Sequence, residues 1–261
     1  MLTSLQLQEA ALQLLAAVQA TQPINRLSDS YPSMDIDDAY EIQMKVVQMK
    51  VEAGRHVRGF KIGLTSKAMQ RAVGIDEPDY GHLFDDMLHE DGCSLSAKRY
   101  HAPRLEVEVA FVLARELTGP GVTVSDVLAA TRHVQPALEL IDSRTTLPRK
   151  LVDTLADNAA SAGVILGGRP VAPMDVDLRW LGAVVYKNAV IEETGVSAAV
   201  LGHPAAGVAW LANRLGERGI SLKAGQILLG GSFTRPIEAA AGDVFHVDFG
   251  PLGGIAVSFK D

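Results

Sequence analysis

The run RLEVEVAF at residues 104–111 limits the fold more than any other stretch of this chain. Side chains alternate between the two faces of a β-strand, so the apolar residues share one face while Glu106 and Glu108 share the other. The chain must therefore build a sheet that buries one face of this strand and sets two carboxylates side by side on its other face. Two interpretations stay open here: a strand with one solvated face, or a site for a cation or for proton transfer.

A third carboxylate extends the pattern. Glu106 and Glu108 lie roughly 6–7 Å apart at Cβ, and at that distance two charges repel by about 3 kcal/mol for an effective dielectric near 20. Glu139 lies in the apolar segment PALELID, and three carboxylates with water form an oxygen-only site that suits Mg²⁺ or Mn²⁺. The alternative is a solvated face on which Arg104 and Arg144 pair with these acids.

Residues 1–56 are predicted to form a small helical region. Thr3 and Gln6 form a capping box before the first helix, and a second helix begins near Asp35 or Asp37 and runs until a glycine stops it. The apolar residues of the first helix are interrupted by Gln and Glu, and no basic segment precedes them. We therefore expect neither a signal peptide nor a membrane span at this end of the sequence.

From residue 57 to residue 261 the chain mixes strand and helix patterns. The predicted strands are VRGFKIGL, RLEVEVAFVLA, PALELID and SAGVILGG; the predicted helices are SKAMQRAVG, VSDVLAATRHV and HPAAGVAWLANRLGERG; EPDYGHLF is predicted to be a loop. LRWLGAVVYKNAVIEETG reads as a hairpin with its turn at Lys187 and Asn188. Because helices and strands do not alternate regularly and hairpins imply antiparallel pairing, the predicted class is α+β with a large mixed sheet assembly.

Two charged residues lie in contexts that allow chemistry. Lys61 is surrounded by apolar residues in FKIGL, where a restricted environment would shift its pKa. An exposed lysine on an edge strand is the commoner arrangement for such a sequence. Asp79 in EPDYG is most often simply a turn residue.

Two small-residue segments add candidate hydrogen-bond donors. In DNAASAG, Asn158 and Ser161 are equally explicable as helix caps. In GGSFTRP, two glycines allow the backbone to approach a ligand closely, and Ser232, Thr234 and Arg235 supply donors. The alternative for this segment is a tight loop with a surface arginine.

Composition and the absence of other motifs narrow the class of function. A formal net charge of −7 over 261 residues disfavours a surface that binds nucleic-acid phosphates. The single cysteine, Cys93, allows no intrachain disulfide and indicates a reducing compartment, so a cytoplasmic location is expected. The sequence contains no phosphate loop, Rossmann fingerprint, CxxC, HExxH or GxSxG motif, which leaves little support for nucleotide, zinc or serine-hydrolase chemistry.

Seven segments, in order, resemble the hydratase/decarboxylase branch of the fumarylacetoacetate hydrolase superfamily, which acts in bacterial meta-cleavage pathways for aromatic compounds. They are FKIGLTSKAMQ, EPDYGHLF, RLEVEVAFVL, PALELIDSR, DNAASAGVILGG, VLGHPAAGVAWLANRL and GGSFTRP. DIDDAYEIQ extends the resemblance into residues 1–56. It implies a mixed β-sandwich or roll flanked by helices, a catalytic domain at residues 57–261, and a homo-oligomer. One departure is the short loop at 145–147, where family members carry a longer one, and we expect it to alter a pocket edge or a subunit contact.

The resemblance also implies a set of site residues. By motif, Glu106, Glu108 and Glu139 would hold Mg²⁺, with Mn²⁺ as the alternative. Lys61 and Asp79 would lie at the active site, where we expect Lys61 to shuttle a proton and Asp79 to orient it or to activate water. The implied activity is metal-dependent addition of water to a small-molecule 2-oxo acid, with no nucleic-acid or membrane partner.

Within this branch, LRWLGAVVYKNAVIEETG and GGSFTRP are similar to hydratases of a seven-carbon diacid. Ser161 and Ser232 are then expected to bind substrate and Arg235 to clamp its second carboxylate with two hydrogen bonds. The alternative closest to this activity is 2-oxo acid decarboxylation on the same metal site. Hydrolytic C–C cleavage calls for a His–Glu dyad, and no histidine lies near PSMDIDD. A metal-binding or structural oligomer without catalysis would carry the carboxylates but no reactive pocket.

Overall fold

The computed structural model describes residues 1–261, apart from the side chain of Val73. Its first part contains three helices: α1 (Ser4–Ala20), α2 (Leu27–Ser30) and α3 (Ile36–Glu52). Thr3 and Gln6 form a reciprocal capping box at α1, and Asp35 and Asp38 form another at α3. The predicted capping box and the predicted start of a helix near Asp35, here α3, are thus confirmed. Each capping box satisfies backbone N–H groups that a helix terminus leaves free.

Thirteen strands among the described residues form two sheets. They are β1 (Val57–Gly63), β2 (Asp79–Phe84), β3 (Leu88–Glu90), β4 (Cys93–Ser96), β5 (Arg104–Leu113), β6 (Thr131–Ile141), β7 (Ser161–Leu166), β8 (Gly182–Lys187), β9 (Val190–Val196), β10 (Ile227–Leu229), β11 (Ile237–Glu238), β12 (Val244–Asp248) and β13 (Gly254–Lys260). The larger sheet has the order β2-β1-β10-β5-β6-β7-β3, with β11 paired to β5, and the smaller has the order β4-β13-β12-β8-β9. Each sheet contains parallel and antiparallel pairs, so the predicted α+β class with mixed sheets is confirmed.

Four further helices, α4 (Lys67–Val73), α5 (Val124–Ala130), α6 (Leu151–Ala156) and α7 (Ala205–Gly216), lie between strands. The helix predicted for VSDVLAATRHV is too long, because Thr131 already begins β6 and pairs with β5. The hairpin turn lies at Asn188 and Ala189, both at positive φ, since Lys187 is still paired with Val190. That prediction is wrong by one residue.

The predicted loop EPDYGHLF is also wrong, since residues 79–84 form β2. Every residue of β2 is buried, and the strand pairs antiparallel along the whole of β1. Gly81, which reads as a turn residue, is needed for packing instead: a Cβ there would collide with the backbone carbonyl of Asn158. Tertiary pairing therefore overrides the local turn signal.

Apolar packing brings α3 against the sheet face that carries the glutamates. Ala110 of β5, Ala137 of β6 and Leu229 of β10 lie on that face, and they form a buried cluster with Val47 of α3. The Gln43 side chain of α3 also donates hydrogen bonds to two buried backbone carbonyls outside the helical region. Residues 1–56 thus cover the sheet next to the candidate site, while their status as a separate region stays a prediction.

None of the helices that the structure describes has the length and apolar character needed to cross a membrane.

Candidate metal and active site

The pairing of β5 with β6 brings the three predicted carboxylates together. Glu106 lies directly opposite Glu139, and Glu108 lies opposite Ala137 on the same sheet face. One carboxylate oxygen from each of the three residues lies within 4.8 Å of the other two. The arrangement depends on strand register, since a shift of one residue would send Glu139 to the other face.

Two of the carboxylates are fully buried, and three of their four oxygens lack hydrogen-bond partners among the described residues. Glu108 and Glu139 have 0% of their surface exposed, and Glu106 is half-buried. The backbone N–H of Gly231 donates to Oε2 of Glu108 at 2.7 Å. Among the described residues, no hydrogen bond reaches Oε1 of Glu108 or either oxygen of Glu139. A buried carboxylate without a partner is strongly unfavourable, so this oxygen-only donor set fits a hard divalent cation such as Mg²⁺.

The pKa values of the three carboxyl groups reflect the same burial. Burial raises the pKa of Glu108 well above its usual range, and the negative charges of Glu139 and Glu106 raise it further. Burial also raises the pKa of Glu139 to about 7, although the ammonium group of Lys61 opposes the shift. The pKa of Glu106 is raised by burial as well. Burial and mutual repulsion therefore both disfavour the charged form of these carboxylates, which is the environment that a bound cation would relieve.

Lys61 lies beside this cluster, on β1. Its side chain is only 5% exposed, its Nζ is 3.4 Å from Oε2 of Glu139, and it donates a hydrogen bond to the carbonyl of Ala159 at 3.1 Å. Burial alone would lower the pKa of Lys61, but the charges of Glu139 and Asp79 outweigh it and hold the pKa above its ordinary value. The alternative of an exposed lysine on an edge strand is wrong, because β1 lies between β2 and β10.

Asp79 begins β2 directly opposite Gly63 of β1. It is 3% exposed, no hydrogen bond from a described residue reaches its Oδ1, and burial raises its pKa. A Cβ at Gly63 would collide with this oxygen and lie 3.1 Å from Nζ of Lys61. Gly63 thus leaves the space in which the two charged side chains approach each other, a requirement that the sequence analysis missed.

The segment 158–160 is a left-handed turn over β2. Asn158, Ala159 and Ala160 have φ values of 52°, 49° and 67°, which are unfavourable for residues with a Cβ. The Asn158 side chain holds the turn in place: its Oδ1 accepts from the backbone N–H of His82 at 2.7 Å, and its Nδ2 donates to the His82 carbonyl at 2.9 Å. The turn presents the Ala159 carbonyl to Lys61, which is a different use of Asn158 from helix capping.

The predicted substrate-binding residues occupy different environments. The hydroxyl of Ser161 is buried and has no partner among the described residues, whereas that of Ser232 donates to the Thr234 carbonyl at 2.9 Å. The Arg235 side chain is 57% exposed and pairs with Glu192 at 2.8 Å and with Glu193 at 2.6 Å, both on β9 of the other sheet.

The alternative in which surface arginines neutralise the glutamates is wrong. Arg144 pairs with buried Asp157 through its Nε, and Arg104 pairs with Glu238 at 3.4 Å. Within the described residues, the basic group in an ion pair with a glutamate of the cluster is Lys61.

Two cavities reach residues of the predicted site. One of about 390 Å³ lies between α1, α3 and the larger sheet and has Ser161 on its wall. A second, of about 270 Å³, is lined by Tyr40, Leu155 and Asp79. Both lie on the side that the helical region covers, and neither has a glutamate of the cluster or Lys61 among its lining residues.

Comparison with known proteins gives a consistent set of relatives, although no family model matches the chain. The chain is 55% identical over 250 residues to 2-oxo-hept-4-ene-1,7-dioate hydratase of Escherichia coli, which covers 93% of this chain and 94% of the relative. It is 40% identical to 4-oxalocrotonate decarboxylase of Pseudomonas putida, over 90% of both chains. The solved structure of 4-oxalocrotonate decarboxylase from Pseudomonas putida G7, complexed with magnesium and adipate, superposes with a TM-score of 0.97 at 36% identity over 99% of both chains.

Proposed function

Since the chain belongs to the hydratase/decarboxylase branch of the fumarylacetoacetate hydrolase superfamily, we propose that it is a divalent-metal-dependent hydratase. Its substrate is 2-oxohept-4-ene-1,7-dioate or the dienol form, its product is 4-hydroxy-2-oxoheptane-1,7-dioate, and the reaction belongs to meta-cleavage catabolism of aromatic compounds. The observation that carries this proposal is 55% identity, across nearly the whole of both chains, to a relative named for this substrate and reaction.

Glu106, Glu108 and Glu139 are the ligands that we propose for Mg²⁺, with Mn²⁺ as the alternative. Their support is the cluster itself, whose oxygens lie within 4.8 Å of one another and in part have no hydrogen-bond partner among the described residues. When bound, the ion supplies Lewis-acid polarisation of the substrate 2-oxo group.

Lys61 is the residue that we propose to move the proton, at Nζ. Ketonisation of the dienol gives a conjugated enone; the water oxygen then bonds to C4 while one proton leaves the water and one is delivered to C3. An ammonium group has three N–H donors, and the bond to Ala159 uses one of them, so donors remain for Glu139 and for substrate. Asp79, next to Lys61 across Gly63, orients the ammonium or activates the water.

Ser161 and Ser232 remain our candidates for binding substrate, and Arg235 is one of two candidates for clamping its second carboxylate. For Arg235 this requires that the guanidinium leave Glu192 and Glu193, with which it pairs. All of these candidates lie in residues 57–261, which supports that segment as the catalytic domain. We also propose that the protein is a homo-oligomer and that it is located in the cytoplasm.

Decarboxylation of a 2-oxo acid on the same metal site is the second candidate. The superposition on a solved decarboxylase shows that this fold supports decarboxylation as well, so the fold does not separate the two activities. Sequence identity favours hydration, since it is 55% to the hydratase and 40% to the decarboxylase.

A turnover assay with the seven-carbon dienol diacid, followed by mass spectrometry, tests the proposal. We expect a product heavier by one water, formed with Mg²⁺, lost with EDTA and recovered when Mg²⁺ is restored. A product lighter by one CO₂ would make the protein a decarboxylase. No conversion of five- to seven-carbon 2-oxo acids in the presence of Mg²⁺ would refute both activities.

A further inference from the structure

Arg104 lies on the same face of β5 as the carboxylate cluster. The pairing of β5 with β6 has no register shift from Arg104 to Glu108, so strand alternation places Arg104, Glu106 and Glu108 in one row. Successive members of such a row are about 6–7 Å apart.

Exposure decreases along this row. The Arg104 side chain is 37% exposed, Glu106 is half-buried, and Glu108 has no exposed surface. The row is therefore open to solvent at Arg104 and closed at Glu108. A chain-like ligand with one end at the carboxylate cluster would meet the Arg104 guanidinium if its other end extends along this row towards solvent.

The present partner of Arg104 holds it weakly. Its Nη2 is 3.4 Å from Oε1 of Glu238, a side chain that is 80% exposed, and an exposed ion pair of this kind contributes little. Arg235, in contrast, has two closer carboxylates, at 2.8 Å and 2.6 Å, on a strand of the other sheet. Arg104 therefore loses less ion-pair energy than Arg235 when it binds a new anion.

From these observations we infer that Arg104 binds the distal carboxylate of the substrate and sets the preference for diacids. The planar guanidinium donates two parallel hydrogen bonds to a carboxylate, and a monoacid whose single carboxylate lies at the glutamates has no second one to offer. The inference rests on the proposed function, because it takes the substrate to be a seven-carbon diacid whose 2-oxo acid end lies at the glutamates.

Steady-state kinetics on a seven-carbon diacid and a five-carbon monoacid test the inference. We expect Arg104→Ala to lower kcat/KM for the diacid by about tenfold to a hundredfold, mainly through KM, and to change the monoacid by less than about threefold. Arg104→Lys should fall in between, because it keeps the charge and loses the two-pronged geometry. Glu238→Gln removes the present partner of Arg104 and should leave the diacid KM unchanged or lower.

Equilibrium binding separates this inference from the proposed function. Adipate and hexanoate, titrated calorimetrically into the Mg²⁺-loaded protein, require no turnover. We expect wild type to bind adipate more tightly, and Arg104→Ala to remove that difference. If the wild-type protein hydrates neither the seven-carbon diacid nor the five-carbon monoacid, the proposed function fails. The adipate and hexanoate titration still tests Arg104 in that case.

Three outcomes would overturn the role of Arg104. Equal losses on diacid and monoacid would show a general effect on the site. Selective loss in Arg235→Ala, with none in Arg104→Ala, would assign the clamp to Arg235. A Glu238→Gln variant that reproduces Arg104→Ala would show that the ion pair, and not substrate binding, accounts for the effect.

Discussion

Replacing Glu108 with glutamine should stabilise the metal-free protein and abolish its stabilisation by Mg²⁺. Ligand oxygens of the three glutamates lie within 4.8 Å of one another, and two charges at that distance repel by about 3.5 kcal/mol at an effective dielectric near 20. Lys61, at 3.4 Å from Glu139, offsets repulsion on that residue by about 5 kcal/mol on the same scale. Glu106 and Glu108 have no comparable cation, so the substitution relieves about 3.5 kcal/mol of repulsion between them.

Calorimetric unfolding at alkaline pH, with EDTA and with excess Mg²⁺, measures this effect. Alkaline pH is required because burial raises the pKa of Glu108, and a protonated carboxyl group does not repel its neighbours. For a chain of this size, 1 kcal/mol corresponds to about 2–4 °C in Tm, so the metal-free variant should melt several degrees above wild type. Magnesium at a hundred times its Kd should add about 2.7 kcal/mol to wild type and nothing to the variant.

Glu90→Gln is the matched control, since Glu90 is exposed at the end of β3. It should melt as wild type does under both conditions. A Glu108→Gln protein that melts below wild type without metal, and that Mg²⁺ still stabilises, would refute the reasoning. Glu108 would then act only as an acceptor for the Gly231 N–H.

Three further substitutions separate catalysis, metal binding and folding. Lys61→Met should abolish hydration while calorimetry still detects Mg²⁺ binding; wild-type turnover would contradict its proposed role. Gly231→Ala should lower Tm and Mg²⁺ affinity, because the residue has a φ of +122° and its Cβ would collide with a threonine side chain; Gly242→Ala, at a φ of +90° with open space, controls for backbone strain alone. Asn158→Ala should destabilise the protein by about 2–3 kcal/mol, because its side chain makes two hydrogen bonds to the His82 backbone; an unchanged Tm would show that these bonds do not hold the turn.

The sequence predicts the glutamate pair well, because alternation along one strand is a local property. It places Glu106 and Glu108 on one face whatever the rest of the chain does. The position of Glu139 opposite Glu106 depends on the register between two strands that seventeen residues separate in the sequence. The apolar context of Glu139 makes it a candidate third carboxylate, but only the resemblance to a family assigns it to the same site in advance.

The left-handed turn at 158–160 shows where local reasoning stops. Two of its three residues are alanines, which give no signal for positive φ. The conformation is fixed by contacts that are distant in sequence: the Asn158 side chain on His82, and the Ala159 carbonyl on Lys61. Strained segments of this kind persist only where the surrounding structure determines them, so the sequence around them predicts an ordinary cap.

The two faces of β5 explain how the fold tolerates a cluster of repelling carboxylates. Leu105, Val107 and Val109, on the opposite face, are at most 2% exposed. Complete burial of such a side chain contributes about 1.5–3 kcal/mol, so the three together stabilise the strand by about 5–9 kcal/mol. On the same scale the three pairs of glutamates repel by about 10 kcal/mol in total, and the Lys61 ammonium offsets about 5 kcal/mol of this, so the net repulsion does not exceed the apolar contribution. The apolar face therefore keeps the strand in place without a bound metal, and the polar face keeps its carboxylates arranged for one.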